Sequence, residues 1–111
     1  MTTLQLLDDC VTRARALPAV LERSGSDLLF SDELLADLDM SLEHCLAAIR
    51  AGEDMSGVLW QIIQLKWLVY RATGLHLLDQ GGSYAATEAL RYAARCDLHD
   101  SRERVIAAQS G

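Results

Sequence analysis

The sequence predicts an all-α protein, a single domain of four to five helices packed as a bundle over residues 1–111. The composition supports this prediction, because the chain contains 20 leucines and 15 alanines, which favour helices, but only five valines and four isoleucines. No segment alternates apolar and polar residues at a period of two for long enough to form a strand. Half of the residues are hydrophobic, so a chain of 111 residues can bury a core of its own.

The first predicted helix runs from Thr3 to about Leu21. Its apolar residues recur at steps of three and four and therefore share one face: Leu4, Leu7, Val11, Ala14, Leu17 and Leu21. Pro18 leaves two alternatives, a kink in this helix or the first position of a short second helix. The Ser-Gly-Ser sequence at 24–26 predicts a loop.

The second predicted helix begins after Ser31, a suitable N-cap, and ends at Arg50 and Gly52. Its apolar face consists of Leu34, Leu35, Leu38, Leu42, Cys45, Leu46 and Ile49. We expect Leu38, Leu42 and Leu46 to be almost fully buried. The opposite face is acidic, because residues 27–54 contain eight carboxylates and one basic residue, Arg50.

The third predicted helix extends from about Met55 to Thr73, with Gly74 as the residue that ends it. One apolar stripe consists of Val58, Ile62, Leu65 and Val69, and a second consists of Leu59, Trp60, Ile63, Trp67 and Tyr70. The two stripes are separated mainly by Lys66. A helix that is apolar nearly all round is usually buried on all sides, which a domain of this size rarely achieves. We expect the first stripe to face the core of the monomer.

The last part of the chain predicts a connector at 75–78, a break at Gln80-Gly81-Gly82 and a final helix capped by Ser83. Two alternatives remain for this helix. It either continues through Asp97-Leu98-His99-Asp100, or it breaks there and Ser101 caps a separate short helix that ends near Ala108.

Charge and hydropathy argue against nucleic-acid and membrane partners. The net charge is −6, which repels phosphate backbones, and the four arginines between 91 and 104 are interleaved with acids: Arg91, Arg95, Arg102 and Arg104. The richest apolar run, 58–70, is too short to span a bilayer. Three widely spaced cysteines do not form a secreted disulfide framework, and the first residues do not resemble a signal peptide. These features predict a cytoplasmic protein with reduced thiols.

We find no catalytic or cofactor motif, and we expect no enzymatic activity, no cofactor and no metal. The arrangement closest to a metal site is Cys96 with His99, three residues apart on one helix face, with His44 or Cys45 as further ligands. Because His44 and Cys45 are adjacent, their side chains point about 100° apart and cannot easily join one site. A buried thiol beside an exposed histidine is the simpler interpretation.

The aromatic residues of the third helix are the feature that points to a function. Trp60 and Trp67 are seven residues apart and lie on nearly the same side of the helix, with Tyr70 close by. They belong either to the core or to an interface, where Trp and Tyr are enriched among energetically important residues. We predict that Leu59, Trp60, Ile63, Trp67 and Tyr70 form a protein interface.

This interface predicts a homodimer and a regulatory function. The protein would be a regulator or inhibitor that sequesters a larger protein, such as a transcription factor. Two alternatives remain open. One is a module that binds a small apolar ligand between helices. The other is a metal-assisted hydrolase that uses His44, Cys96 and His99.

Purified protein is expected to contain no stoichiometric zinc, because the sequence has no second pair of ligands to complete a tetrahedral site with Cys96 and His99. Chelator is expected to leave the helicity and Tm unchanged. Elemental analysis and circular dichroism measure both. One tightly bound zinc ion per chain would contradict the prediction and make these two residues the first to mutate.

Overall fold

The protein is an all-α bundle of four helices, as the composition predicts. The computed structural model describes residues 2–25 and 27–110. Its helices are α1 (Thr3–Ser24), α2 (Leu29–Arg50), α3 (Ser56–Asp79) and α4 (Tyr84–Ser110), and the described residues contain no strand.

Helix α1 is one continuous helix in spite of the proline inside it. Thr2 and Gln5 form a reciprocal capping box at its start, in which each side chain accepts a hydrogen bond from the other residue's backbone N–H. Pro18 lies on the exposed side of the helix. The predicted alternative of a separate second helix is therefore wrong, and α1 extends three residues beyond the predicted end, to Ser24.

Helix α2 starts at Leu29, three residues before the start that an N-cap at Ser31 predicts. The backbone N–H of Leu29 donates to the carboxylate of Asp27 at 2.9 Å, just before the first turn. Ser31 is buried inside the helix, and its hydroxyl lies 3.0 Å from the hydroxyl of Thr73 on α3. Its short polar side chain therefore serves an interhelical contact instead of a cap, a use that sequence spacing does not distinguish.

Helix α3 continues through Gly74 and ends at Asp79, so the predicted end at Gly74 and the predicted connector at 75–78 are both wrong. A glycine inside a helix costs only about 1 kcal/mol relative to alanine, which tertiary packing can offset. Here Gly74 faces Leu90 of α4. The chain turns instead at Gly81, which has a φ of 69°.

Helix α4 is unbroken from Tyr84 to Ser110, which decides between the two sequence alternatives. Ser83 caps it as predicted, because its hydroxyl accepts from the backbone N–H of Ala86 at 3.1 Å. Ser101 caps no separate helix. It is buried within α4 and faces α3.

Successive helices run antiparallel, as contacts between distant residues show. Arg13 of α1 pairs with Asp37 of α2, and Thr73 near the end of α3 meets Ser31 near the start of α2. Helices α2 and α3 form the centre, whereas α1 and α4 lie on either side and do not contact each other in the described part of the chain. The Cα atoms span 47 × 26 × 16 Å. A body only 16 Å thick leaves every helix with a solvent-facing side, because packed helices lie 8–10 Å apart.

The core lies between α1, α2 and α3, with Val105 as the buried apolar contribution of α4. Leu38, Leu42 and Leu46 are at most 1% exposed, which confirms the prediction for α2. The first stripe of α3 also faces the core, although Val58 is half-buried at its edge.

Leu42→Ala is expected to lower the free energy of unfolding by about 2–5 kcal/mol, because it removes buried methyl groups and leaves a cavity at a fully buried position. Urea denaturation monitored by circular dichroism measures this change. Met40→Ala, on the exposed side of the same helix, is the matched control and should change the stability by less than about 0.5 kcal/mol. Equal losses in the two variants would contradict the burial of Leu42.

Candidate protein interface

The outward side of α3 exposes a row of large apolar side chains. Trp60 is 39% exposed and Trp67 is 44% exposed. Leu68, Leu75 and Leu78 are each about half exposed. At 100° per residue these five residues fall within an arc of about 100°. We call this row, Trp60, Trp67, Leu68, Leu75 and Leu78, the α3 face.

The structure divides the five residues that the sequence groups as an interface. Leu59 and Ile63 are 0% and 5% exposed and lie in the core of the monomer. Trp60 and Trp67 lie on the α3 face, and Tyr70 is half-buried at its border with α4. The five residues span about 100° of the helix circumference, and the neighbouring helices cover the side that carries Leu59 and Ile63 but not the side that carries Trp60 and Trp67. Within this fold, only Trp60, Trp67 and Tyr70 remain available for an interface.

The α3 face carries positive charge in an acidic protein. No aspartate or glutamate occurs from Met55 to Leu78. The guanidinium of Arg71 lies over the Trp67 ring, 5.2 Å from its centroid, which orients both side chains through a cation–π contact. The exposed side of α2, by contrast, carries carboxylates, including Asp32, Glu33 and Glu43. The exposed side of α3 is therefore apolar with one cationic side chain, Arg71, on the stretch up to Leu78, whereas the exposed side of α2 is acidic.

A groove of about 370 Å³ borders this face, between the second half of α3 and the first half of α4. We call it the α3–α4 groove. Its walls are mostly apolar, and two small residues, Gly74 and Ala94, contribute to its lining. The remaining lining residues are Trp67, Tyr70, Arg71, Leu75, Leu78, Thr87, Leu90, Arg91, Arg95 and Leu98. The groove has the size of a small ligand site and is open to solvent along its length.

Behind the groove, Lys66 is completely buried and joins three helices. Its ammonium donates to Asp97 Oδ1 at 3.0 Å and to Ser101 Oγ at 2.9 Å, both on α4, and forms an ion pair with Asp39 on α2. An ammonium has three N–H donors, so these three acceptors satisfy all of them. The two carboxylates keep partial access to water, with side chains 53% and 26% exposed, which limits the cost of desolvating the charges.

Tyr70 connects this buried cluster to the groove. Its hydroxyl donates to Asp97 Oδ2 at 2.6 Å, so the carboxylate of Asp97 accepts from Lys66 and Tyr70 together. Burial of the phenol and the adjacent Asp97 carboxylate raise the pKa of Tyr70 well above its usual value. The tyrosine therefore stays neutral and holds its ring at the wall of the groove. We call Lys66, Asp39, Asp97, Ser101 and Tyr70 the Lys66 cluster.

Sequence reasoning treats Lys66 as the polar separator between two stripes and misses its burial. Two signals were available. Lys66 is the only lysine in the chain, and it lies seven residues from both Leu59 and Thr73, which are buried on the same side of α3. Its acceptors lie 27–35 residues away along the chain, so spacing alone could not identify them.

The other residues considered for chemistry lie apart from this region or are buried. His44, Cys96 and His99 are all exposed, so the interpretation of Cys96 as a buried thiol is wrong. No group of three or more His, Cys, Asp or Glu side chains in residues 2–25 and 27–110 is arranged to hold a metal ion. Cys45 lies in the core as expected, and burial raises the pKa of its thiol. Burial likewise raises the pKa of Cys10.

Ion pairs account for part of the arginine cluster near the end of the chain. Arg91 pairs with Glu88 at 3.0 Å within α4, and Arg104 pairs with Glu43 of α2. Arg91 and Arg95 line the groove.

Among the helices that the structure describes, none is both long and apolar enough to cross a membrane.

Comparisons with family models, with curated proteins and with solved structures find no match for this chain. Its function is therefore inferred from the geometry of the α3 face and of the α3–α4 groove.

Lys66→Ala is expected to lower the free energy of unfolding by about 2–5 kcal/mol, because it leaves a cavity at a fully buried position and removes the donor shared by Asp39, Asp97 and Ser101. Lys66→Met fills much of the same space and should cost less. Urea denaturation measures both variants.

The control for this prediction is Arg91→Ala, which removes an exposed ion pair with Glu88 and should cost less than about 1 kcal/mol. A loss for Lys66→Ala as small as that of the control would show that the Lys66 cluster does not hold α4 in place.

Proposed function

We propose that this protein is a non-enzymatic regulator that acts by binding another protein chain through the α3 face. The target class is the one that the sequence predicts, a larger protein such as a transcription factor that is sequestered or inhibited. The observation that carries the proposal is the row of five exposed apolar side chains along one helix. Tryptophan and arginine are among the residue types most enriched where binding energy is concentrated, and Trp67 and Arg71 lie in contact at the centre of this row.

We further propose that two copies associate through the α3 face when the partner is absent. Contiguous apolar patches of this kind are rare on soluble monomers, and a contact with two-fold symmetry would cover both copies at once. An antiparallel crossing of the two α3 helices near Gln64, which is exposed between Trp60 and Trp67, brings the tryptophans of both copies together. It also keeps the two Arg71 side chains about 20 Å apart along the helices, which limits their repulsion.

We place this activity in the cytoplasm. All three cysteines are free thiols, and one of them, Cys96, is exposed. Exposed free thiols are typical of a reducing compartment and support this location. The exposed carboxylates of α2 favour solubility once the α3 face is covered.

The α3–α4 groove supports a second candidate function, a module that binds a small apolar ligand. Its volume of about 370 Å³ lies in the range of ligand pockets, and its lining is mostly apolar with a few polar groups. Trp67 lies at the edge of the groove and would report ligand binding by its fluorescence.

Trp67→Glu is expected to convert a wild-type dimer into a folded monomer at micromolar concentration, because the interface would bury a charge without a counter-ion. Sedimentation velocity measures the change in mass, and circular dichroism checks that the variant remains helical. Tyr92→Glu is the matched control, since this tyrosine is 68% exposed on α4 and does not line the groove. It should remain a dimer.

The oligomeric state of the wild-type protein also tests the proposed self-association. If it sediments as a monomer at micromolar concentration, the proposed self-association is wrong. Fluorescence against dilution separates the two candidate functions, because tryptophan emission changes with concentration at an interface between copies but not in a pocket within one copy.

A further inference from the structure

The side chains of the α3–α4 groove combine an apolar floor with a basic rim. Leu78 and Leu90 line it together with the small residues Gly74 and Ala94, which leave room for the groove between the two helices. The charged residues that line the groove are Arg71, Arg91 and Arg95, all positive. In a chain of net charge −6, a groove lined by three cations and no acid differs from the rest of the surface.

The three arginines differ in how far they are already neutralised. Arg91 forms an exposed pair with Glu88, which is worth little in water and can exchange for another carboxylate. Arg71 lies over the Trp67 ring, and no ion pair involving Arg71 or Arg95 occurs in the part of the chain that the structure describes. Two guanidinium groups therefore remain open to a carboxylate, which an arginine can bind through two parallel N–H donors.

We infer that the α3–α4 groove binds an acidic amphipathic helix of a partner protein. This inference rests on the proposed function and specifies the partner's chemistry. Leucine-type side chains at steps of three and four on such a helix enter the apolar floor, as in other helix-in-groove complexes. Carboxylates on its flanks reach Arg71 on the α3 side and Arg91 and Arg95 on the α4 side.

A second copy of this chain does not supply such a helix. Its acidic helix α2 buries Leu34, Leu38, Leu42 and Leu46 in its own core. The large apolar residues that α2 exposes are Leu29 and Met40, about 16 Å apart along the helix, so they cannot fill a continuous floor. Helix α2 of a second copy therefore does not match the groove, and the occupant that we infer is a helix of a different chain. Because Trp67, Leu75 and Leu78 belong both to the groove and to the α3 face, this partner competes with a second copy for the same side chains.

The inference is tested with synthetic four-turn peptides and the full-length protein. The first peptide carries leucines along one face and glutamates on both flanks, and the second replaces every glutamate with lysine. A third keeps the glutamates and replaces the leucines with glutamine. Fluorescence anisotropy of the labelled peptides, at low and at high salt, measures binding. We expect the acidic amphipathic peptide to bind at least tenfold more tightly than either of the other two, and more weakly at high salt.

Two double variants test whether the rim is responsible. Arg71→Gln with Arg95→Gln should weaken binding of the acidic peptide about tenfold, since two exposed charge pairs are lost. Arg50→Gln with Arg102→Gln removes the same charge from exposed positions outside the groove and should leave the affinity unchanged. Circular dichroism confirms that both proteins are folded.

Several outcomes would overturn the inference. They are equal affinity for the acidic and basic peptides, equal weakening by the two double variants, and binding of dodecanoate but of no peptide. The last result would instead support the small-ligand function. The two proposals fail separately. If Trp67→Glu dissociates a wild-type dimer but the wild-type protein binds no acidic peptide, the proposed interface at the α3 face is supported. The occupant inferred for the groove is then wrong.

Discussion

The ammonium of Lys66 lies where α2, α3 and α4 meet, and the position of α4 depends on it. Helix α4 buries one apolar side chain fully, Val105, while its other buried residues, Thr87 and Ser101, are polar. Apolar burial therefore contributes less to holding α4 than to holding the other three helices. Hydrogen bonds and ion pairs are directional, so the contacts of Lys66 with Asp97 and Ser101 also determine which residues of α4 face α3.

The groove results from where these polar anchors lie along α4. The contacts to Lys66 and the ion pair between Arg104 and Glu43 begin at Asp97, the middle of α4, and continue into its second half. In the first half of α4, Leu90 faces Gly74 of α3. The small residues Gly74 and Ala94 leave space on the solvent side of this contact. Tyr70 connects the two regions, because its hydroxyl binds Asp97 while its ring forms part of the groove wall.

The thinness of the bundle explains why α3 retains an apolar face. Helices α1 and α4 lie on either side of α3 and do not contact each other in the described residues, so neither covers its outward side. Burial of Leu59, Ile62 and Val69 is enough to attach α3 to its neighbours. After that packing, Trp60 and Trp67 still expose 39% and 44% of their surface, which leaves this part accessible to another protein chain.

The sequence by itself determined the all-α class, the cap at Ser83 and the apolar face of α2, because these depend on residues close together in the chain. The tertiary structure decided what local patterns leave open. Gly74 and Ser101 lie inside helices because packing between α3 and α4 outweighs their local tendency to end or to cap a helix. The tertiary structure also separated Leu59 and Ile63, which are buried, from the two exposed tryptophans. The positions of α1, α2 and α4 determine which sides of α3 are covered. Lys66 shows the same limit, because the acceptors that allow its burial lie on other helices.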